Sequence, residues 1–247
     1  MKRAASVVLW SSVVLSLGCR DSKSSEPVKA AASTPPPKTP DPPKPPEPRV
    51  PDVLVDDAGA YIGGERIELK SPESTAKLAA AVAKHPLAGK KVTVVALRNA
   101  RTPDVVKTVS AIGDKAASVE VRTQNRDKKD VTIALEPDQK AGKLPDCTMA
   151  VMVLKDRATA SWHVRGGVAT KYLKGMAGPD MSQTAEGVAK QSKACPASTA
   201  LVLSGDDSVE WGLVFDLSQM GEPKAPVRYV LPRVTPIAGQ PVKLGDQ

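Results

Sequence analysis

The sequence predicts an α+β fold: two tandem two-layer domains, each a small mixed sheet with two helices on one face. Three observations predict it. Short β-branched runs and helical periodicities follow one another as strands, helix, strand, helix, strand from Val53 to Thr123. That order returns from Met149 to Leu231, with Gly166-Gly167 standing where Gly63-Gly64 stood. The residues before Val53 lack apolar periodicity and are crowded with proline, so they add nothing to a core.

The chain opens MKRAASVVLWSSVVLSLGC. Its apolar run, Ala4 to Leu17, is shorter than the ~20 residues that span a bilayer. A basic start at Lys2 and Arg3, a short apolar core and an abrupt polar break are the parts of a secretory signal. Ser16-Leu17-Gly18-Cys19 resembles the lipobox of bacterial lipoproteins, in which the chain is cut before a cysteine that carries lipid. Residues 1–18 are therefore expected to be a signal peptide and Cys19 the lipidation site, against an ordinary signal or a short anchor helix. Residues 19–52 read as a Pro-rich tether; extended at ~3.1 Å per residue, it would reach on the order of 90 Å.

In the first domain, expected over 53–135, Val53-Leu54-Val55 is a strand, Asp57-Ala58-Gly59 a turn and Ala60-Tyr61-Ile62 the return. Gly63-Gly64 turns the chain again into Glu65-Arg66-Ile67. Ser71-Pro72-Glu73 opens a helix carrying Leu78 and Val82 on one face, and Pro86 ends it. Lys91 to Leu97 is a β-branched strand. Pro103-Asp104 starts a second helix with Val105, Val106, Val109 and Ile112 on one face, and Ser118 to Thr123 alternates as a half-buried strand does. A polar bridge, Gln124 to Cys147, follows. In the second domain, expected over 146–235, Met149–Leu154 and Ala160–Val164 are strands. Gly178-Pro179-Asp180 opens a helix to Lys193, and Ala200–Leu203 is a strand. Val209–Met220 is a helix and Pro226–Leu231 the last strand. Residues 236–247 read as a C-terminal tail.

Composition narrows the function classes. The 247 residues carry a net charge of +8, spread as single Lys and Arg, and only 3% are aromatic. Scattered basic residues describe a solvated surface, not a nucleic-acid footprint. Once Cys19 is set aside, the two remaining cysteines of three, Cys147 and Cys195, are expected to pair in an oxidising compartment. His85 and His163 have no ligand spacing to them, so no metal or cofactor is expected.

The run VLVDDAGAYIGGERIEL, then a helix, then KKVTVVALRNARTPDVVKTVSAIGDKAASVEVRT, is similar to the periplasmic domain of the ExbD/TolR family; the second copy resembles it more faintly. The resemblance implies an accessory subunit of a proton-driven envelope motor, acting in pairs and touching peptidoglycan or an energy-transducing partner. Proton coupling in that family uses an aspartate in a transmembrane helix. The leader here has no acidic residue, and Arg98-Asn99 stand where an acidic loop residue is usual. No family site residue carries over.

Catalytic motifs are missing from the sequence: there is no GxSxG, HExxH or P-loop. Asp206, Asp207 and Glu210 cluster; Asp206 and Asp207 are read as preceding and capping a helix, in preference to a calcium or acid–base site. Trp162, His163, Trp211 and Tyr229 are the candidate partner-binding residues, against core anchoring of the second domain. The expected protein is therefore not an enzyme but a lipid-anchored binding or accessory protein of the cell envelope. It would face the periplasm, on the outer membrane in preference to the inner. Its partner would be an energy-transducing envelope protein; the alternative is a structural lipoprotein that binds peptidoglycan. The two domains are expected either to pair through the edges Val119–Val121 and Val227–Val230 or to stand as separate beads.

Overall fold

The computed structural model describes residues 53–85, 87, 89–176, 178–220 and 227–245. The leader, Cys19 and the tether 19–52 lie outside the described residues.

The first half begins with the expected meander, β1 (Val53–Val55), β2 (Ala60–Ile62) and β3 (Glu65–Ile67). The Asp56 carboxylate accepts the N–H groups of Ala58 and Gly59 and closes the first turn. Gly63, at φ +57°, closes the second, and a side chain there would strike the His85 ring. Helix α1 (Ser74–Lys84) starts three residues later than Ser71. Ser71 caps the preceding turn, accepting the Glu73 N–H through its hydroxyl and the Ser74 N–H through its carbonyl. Strand β4 (Lys91–Ala96), helix α2 (Thr102–Gly113) and strand β5 (Ser118–Gln124) complete the predicted order.

The second half repeats it with β7 (Met149–Val153), β8 (Thr159–His163) and β9 (Thr170–Tyr172). A small hairpin follows, β10 (Lys174–Gly175) with β11 (Gly178–Pro179). Then come α3 (Met181–Ser192), β12 (Ala200–Gly205), α4 (Trp211–Ser218) and β13 (Arg228–Leu231). Asp180 caps α3 by accepting the Gln183 N–H at 3.0 Å.

The α+β class is as expected, but the strands do not form two sheets. One eleven-stranded sheet runs β3-β2-β1-β4-β5-β6-β13-β12-β7-β8-β9. From each outer edge inward the pairings are the same: antiparallel, antiparallel, parallel, parallel. The halves are thus related as by a two-fold axis through the sheet. Strand β6 (Asp130–Pro137) breaks that symmetry. It lies in the stretch expected to be a polar bridge, and it runs antiparallel to β5 and parallel to β13. The physical reason is a period of two: Val131, Ile133 and Leu135 all point to the helix-covered face, opposite Thr123, Val121 and Val119. A tight turn, with the Asn125 side chain accepting the N–H groups of Asp127 and Lys129, returns the chain for this pairing. The two edges expected to meet, Val119–Val121 and Val227–Val230, are each joined to β6 instead of to each other.

The four α-helices among the described residues pack on one face. A single core collects Val53, Val94 and Val121 from the first half with Val151, Leu203 and Phe215 from the second. Helix α2 is buried at Thr102, Asp104, Val105, Val106, Thr108, Val109, Ser110, Ile112 and Gly113, around most of its circumference. The opposite face of the second half holds a smaller core, Ala150, Met152, Trp162, Val202 and Val230. The residues read as a tail seal it. Leu244 is buried, and the Gln240 carbonyl accepts the Trp162 indole N–H at 2.9 Å. Cys147 and Cys195 form a disulfide with Cα atoms 5.6 Å apart, tying the start of β7 to the chain after α3. Among the described residues no helix is long and apolar enough to cross a membrane.

Candidate functional site

The loop after β4 and the start of α4 meet where the two halves join. Helix α4 reads WGLVFDLS, an apolar run with one carboxylate, Asp216, only 5% exposed. A buried carboxylate needs compensation. It comes from the other half. Arg98 places both terminal nitrogens on Asp216, each at 2.9 Å, and Arg126 adds its Nε at 2.7 Å. The bidentate bond to Asp216 holds the Arg98 guanidinium above its ordinary pKa. Arg98 also donates to the Gln124 carbonyl, so the ends of β4 and β5 are fixed to the same group.

The backbone joins the same elements. The Trp211 and Gly212 N–H groups donate to the carbonyls of Ala100 and Arg98, at 2.7 and 2.9 Å. Thr102 donates both its N–H and its hydroxyl to the Val209 carbonyl. The Trp211 indole donates to the Thr123 hydroxyl at 2.9 Å. Beside this junction, beyond the carboxyl ends of β4 and β5, lies an open groove of about 480 Å³. Val95 and Leu97 form its apolar wall, and Arg98, Asn99, Arg122 and Gln124 supply donors. A second groove, about 270 Å³, lies between α1 and α2 against Leu78 and Val82; the buried Ser110 hydroxyl on its wall has no hydrogen-bond partner.

The expected partner-binding residues are not brought together, and two of them are not at the surface. Trp162 and Trp211 are 1% and 0% exposed and belong to different cores on opposite faces of the sheet. An aromatic-poor chain spends its few large side chains where they bury most area. Tyr229 is half-buried, donates its hydroxyl to the Ser218 carbonyl and is raised in pKa by burial. His163 ends β8, partly exposed. The acidic cluster also disperses. Asp206 accepts the N–H and hydroxyl of Ser208, which lowers its pKa, and Asp207 accepts the Thr235 hydroxyl. Neither caps α4, whose N-cap position is Glu210. Among the described residues no group of three or more His, Cys, Asp or Glu stands ready to hold a metal.

Asp216 and Arg126 were not among the residues singled out by the sequence. Their signal was legible in principle: a lone acid inside an apolar helix predicts a buried ion pair, though not with which residue. Compared with protein families, curated proteins and solved structures, the chain gives no match.

Proposed function

We propose that the chain is a lipid-anchored binding or accessory protein of the bacterial cell envelope, built from two ExbD/TolR-like copies, and that it acts by binding, without catalysis. The observation that carries the reading is the repeated connectivity of β3-β2-β1-β4-β5 and β9-β8-β7-β12-β13. Domains expected from the resemblance to act as pairs are here two halves of one sheet, so no second chain has to be recruited. That removes the association entropy a single-copy protein meets. Cys19 is the lipidation site and the Pro-rich residues 19–52 are the spacer that gives the folded part reach from that anchor. The protein faces the periplasm, on the outer membrane, and its partner is an energy-transducing envelope protein.

Crosslinking in intact cells, followed by identification of partners, tests this; recovery of motor subunits supports it, and their absence from every crosslinked species overturns it. The intact mass of the membrane-extracted protein tests the anchor: a chain starting at Met1 with no lipid at Cys19 refutes it. The groove beside Arg98 and Arg122 favours a second reading, a structural lipoprotein that binds peptidoglycan, since wall peptides carry carboxylates beside apolar side chains. Co-sedimentation with purified wall polymer, lost in Arg122→Ala, separates it from the first.

A further inference from the structure

The far edge of the sheet carries a group of large apolar side chains that nothing among the described residues covers. Leu173 is 72% exposed, Val168 93%, and Met176 fully exposed. They flank β9 and sit on the β10–β11 hairpin. Ile237, 63% exposed, stands on the adjoining turn, two residues before Gly239, whose carbonyl accepts the Gly167 N–H. Beyond these four, the exposed large apolar side chains among the described residues are Leu97 and Val234, at 42% and 60%, so a cluster of three within nine residues stands out from the rest of the surface.

Along the segment that carries these side chains the charged residues are all basic; Asp156 and Asp180 bound it, the first paired with Lys171 and the second capping α3. Between Asp156 and Asp180 the chain has no acidic residue, but it has Arg157, Arg165, Lys171 and Lys174. Lys171 reaches back to Asp156 at 2.7 Å; among the described residues no ion pair involves Arg165 or Lys174. Apolar tips set among lysines and arginines fit a surface that is apolar within and anionic at its boundary. Self-pairing of the open β9 edge is disfavoured by the same charges. A two-fold contact between copies would set Lys171 and Lys174 of one chain beside those of the other.

We infer that the β9 edge and the β10–β11 hairpin form a docking surface for an anionic lipid bilayer, with Val168, Leu173 and Met176 entering the headgroup boundary and Arg165 and Lys174 contacting anionic headgroups. The contact goes beyond the proposed lipid anchor, and it needs no lipid on Cys19. Each basic residue near such a surface contributes about fivefold to partitioning, and added salt weakens that share.

The test is co-sedimentation of residues 20–247, which contain the whole described sheet and both cores, with two kinds of vesicle: phosphatidylglycerol mixed with phosphatidylcholine, and phosphatidylcholine alone. Binding to the anionic vesicles is expected. It should fall at least tenfold in Leu173→Asp/Met176→Asp and several-fold in Arg165→Glu/Lys174→Glu, with unchanged circular dichroism because these side chains are exposed. Equal partitioning of wild type and both variants overturns the inference, as does failure of the wild type to bind anionic vesicles. Self-association of the wild type that the Leu173→Asp/Met176→Asp variant abolishes would assign the surface to a second copy instead. Since this protein lacks the lipidation site, failure here leaves the mass test of Cys19 untouched.

Discussion

Replacing Asp216 with Asn removes the charge on which Arg98 and Arg126 converge while keeping the size of the side chain. Breaking a buried ion pair from one side costs about 3–5 kcal/mol, because the remaining charge stays behind unpaired. The structure argues for the lower end. Asp216 is 5% exposed, but the Arg98 and Arg126 side chains are 32% and 48% exposed and retain access to water. The Arg126 contact is therefore worth at most about 1 kcal/mol, and the bidentate Arg98 bond about 2 kcal/mol. The sum is about 3 kcal/mol. With a urea m-value of about 2 kcal/mol/M, the unfolding midpoint should fall by about 1.5 M at constant m. Because the lost bonds join the halves, the variant should also broaden toward two transitions, seen as non-coincident fluorescence and circular dichroism curves. A midpoint shift below about 0.3 M with a single coincident transition would refute the view that this triad fastens one half to the other.

Other perturbations probe separate parts of the structure. Cys147→Ser/Cys195→Ser reopens a loop of 48 residues and should cost up to about 4 kcal/mol on the chain-entropy model. Helix α3, which buries only Thr184, should be the first element to lose hydrogen-exchange protection; a variant as stable as wild type defeats this. Asp104 is 2% exposed with one carboxylate oxygen unpartnered, and burial raises its pKa above the ordinary 3.8, an effect partly offset by Arg101, Lys107 and Lys70. The folded state then holds that proton more tightly than the unfolded state. Its contribution to stability is complete below pH 3.8 and is lost as pH rises through the raised value. Asp104→Asn should therefore gain on wild type between about pH 3.5 and 7, and a stability difference that does not vary with pH over that range counts against it. In residues 20–247 the only tryptophans are Trp162 and Trp211. Their emission should be blue-shifted and iodide should quench it poorly; efficient quenching would mean that one of them is at the surface after all.

Much of this architecture was legible in the residues. The 53–67 meander, both helix pairs and the final strands follow from period and turn chemistry, and the structure moves their ends by a few residues. The strand that joins the halves, β6, was hidden by composition: Asp127, Lys128, Lys129 and Asp130 made the stretch look like a linker, although Val131-Thr132-Ile133-Ala134-Leu135 alternates like any half-buried strand. The cysteine pairing was readable because only two cysteines remained once Cys19 was set aside. Burial of Trp162 and Trp211 was not, because a rare aromatic serves a core or an interface equally well until the neighbouring chain is placed. The Asp216 cluster was least accessible of all. Arg98 lies 118 residues from its partner, and no local pattern encodes a contact of that separation.

The position of β1 has a mechanical consequence. The described chain enters the fold at Val53, the first residue of an interior strand bonded to β2 on one side and to β4 on the other, three residue pairs on each. Tension delivered along the backbone from residue 52 runs along that strand. It loads both ladders together in shear, so the bonds resist in parallel. Were the entry point at an outer strand such as β9, bonded on one side only, a pull across the sheet would open its bonds one after another at much lower force. A module hung by its N-terminus from a moving or crowded surface would thus be gripped at one of its stronger attachment points.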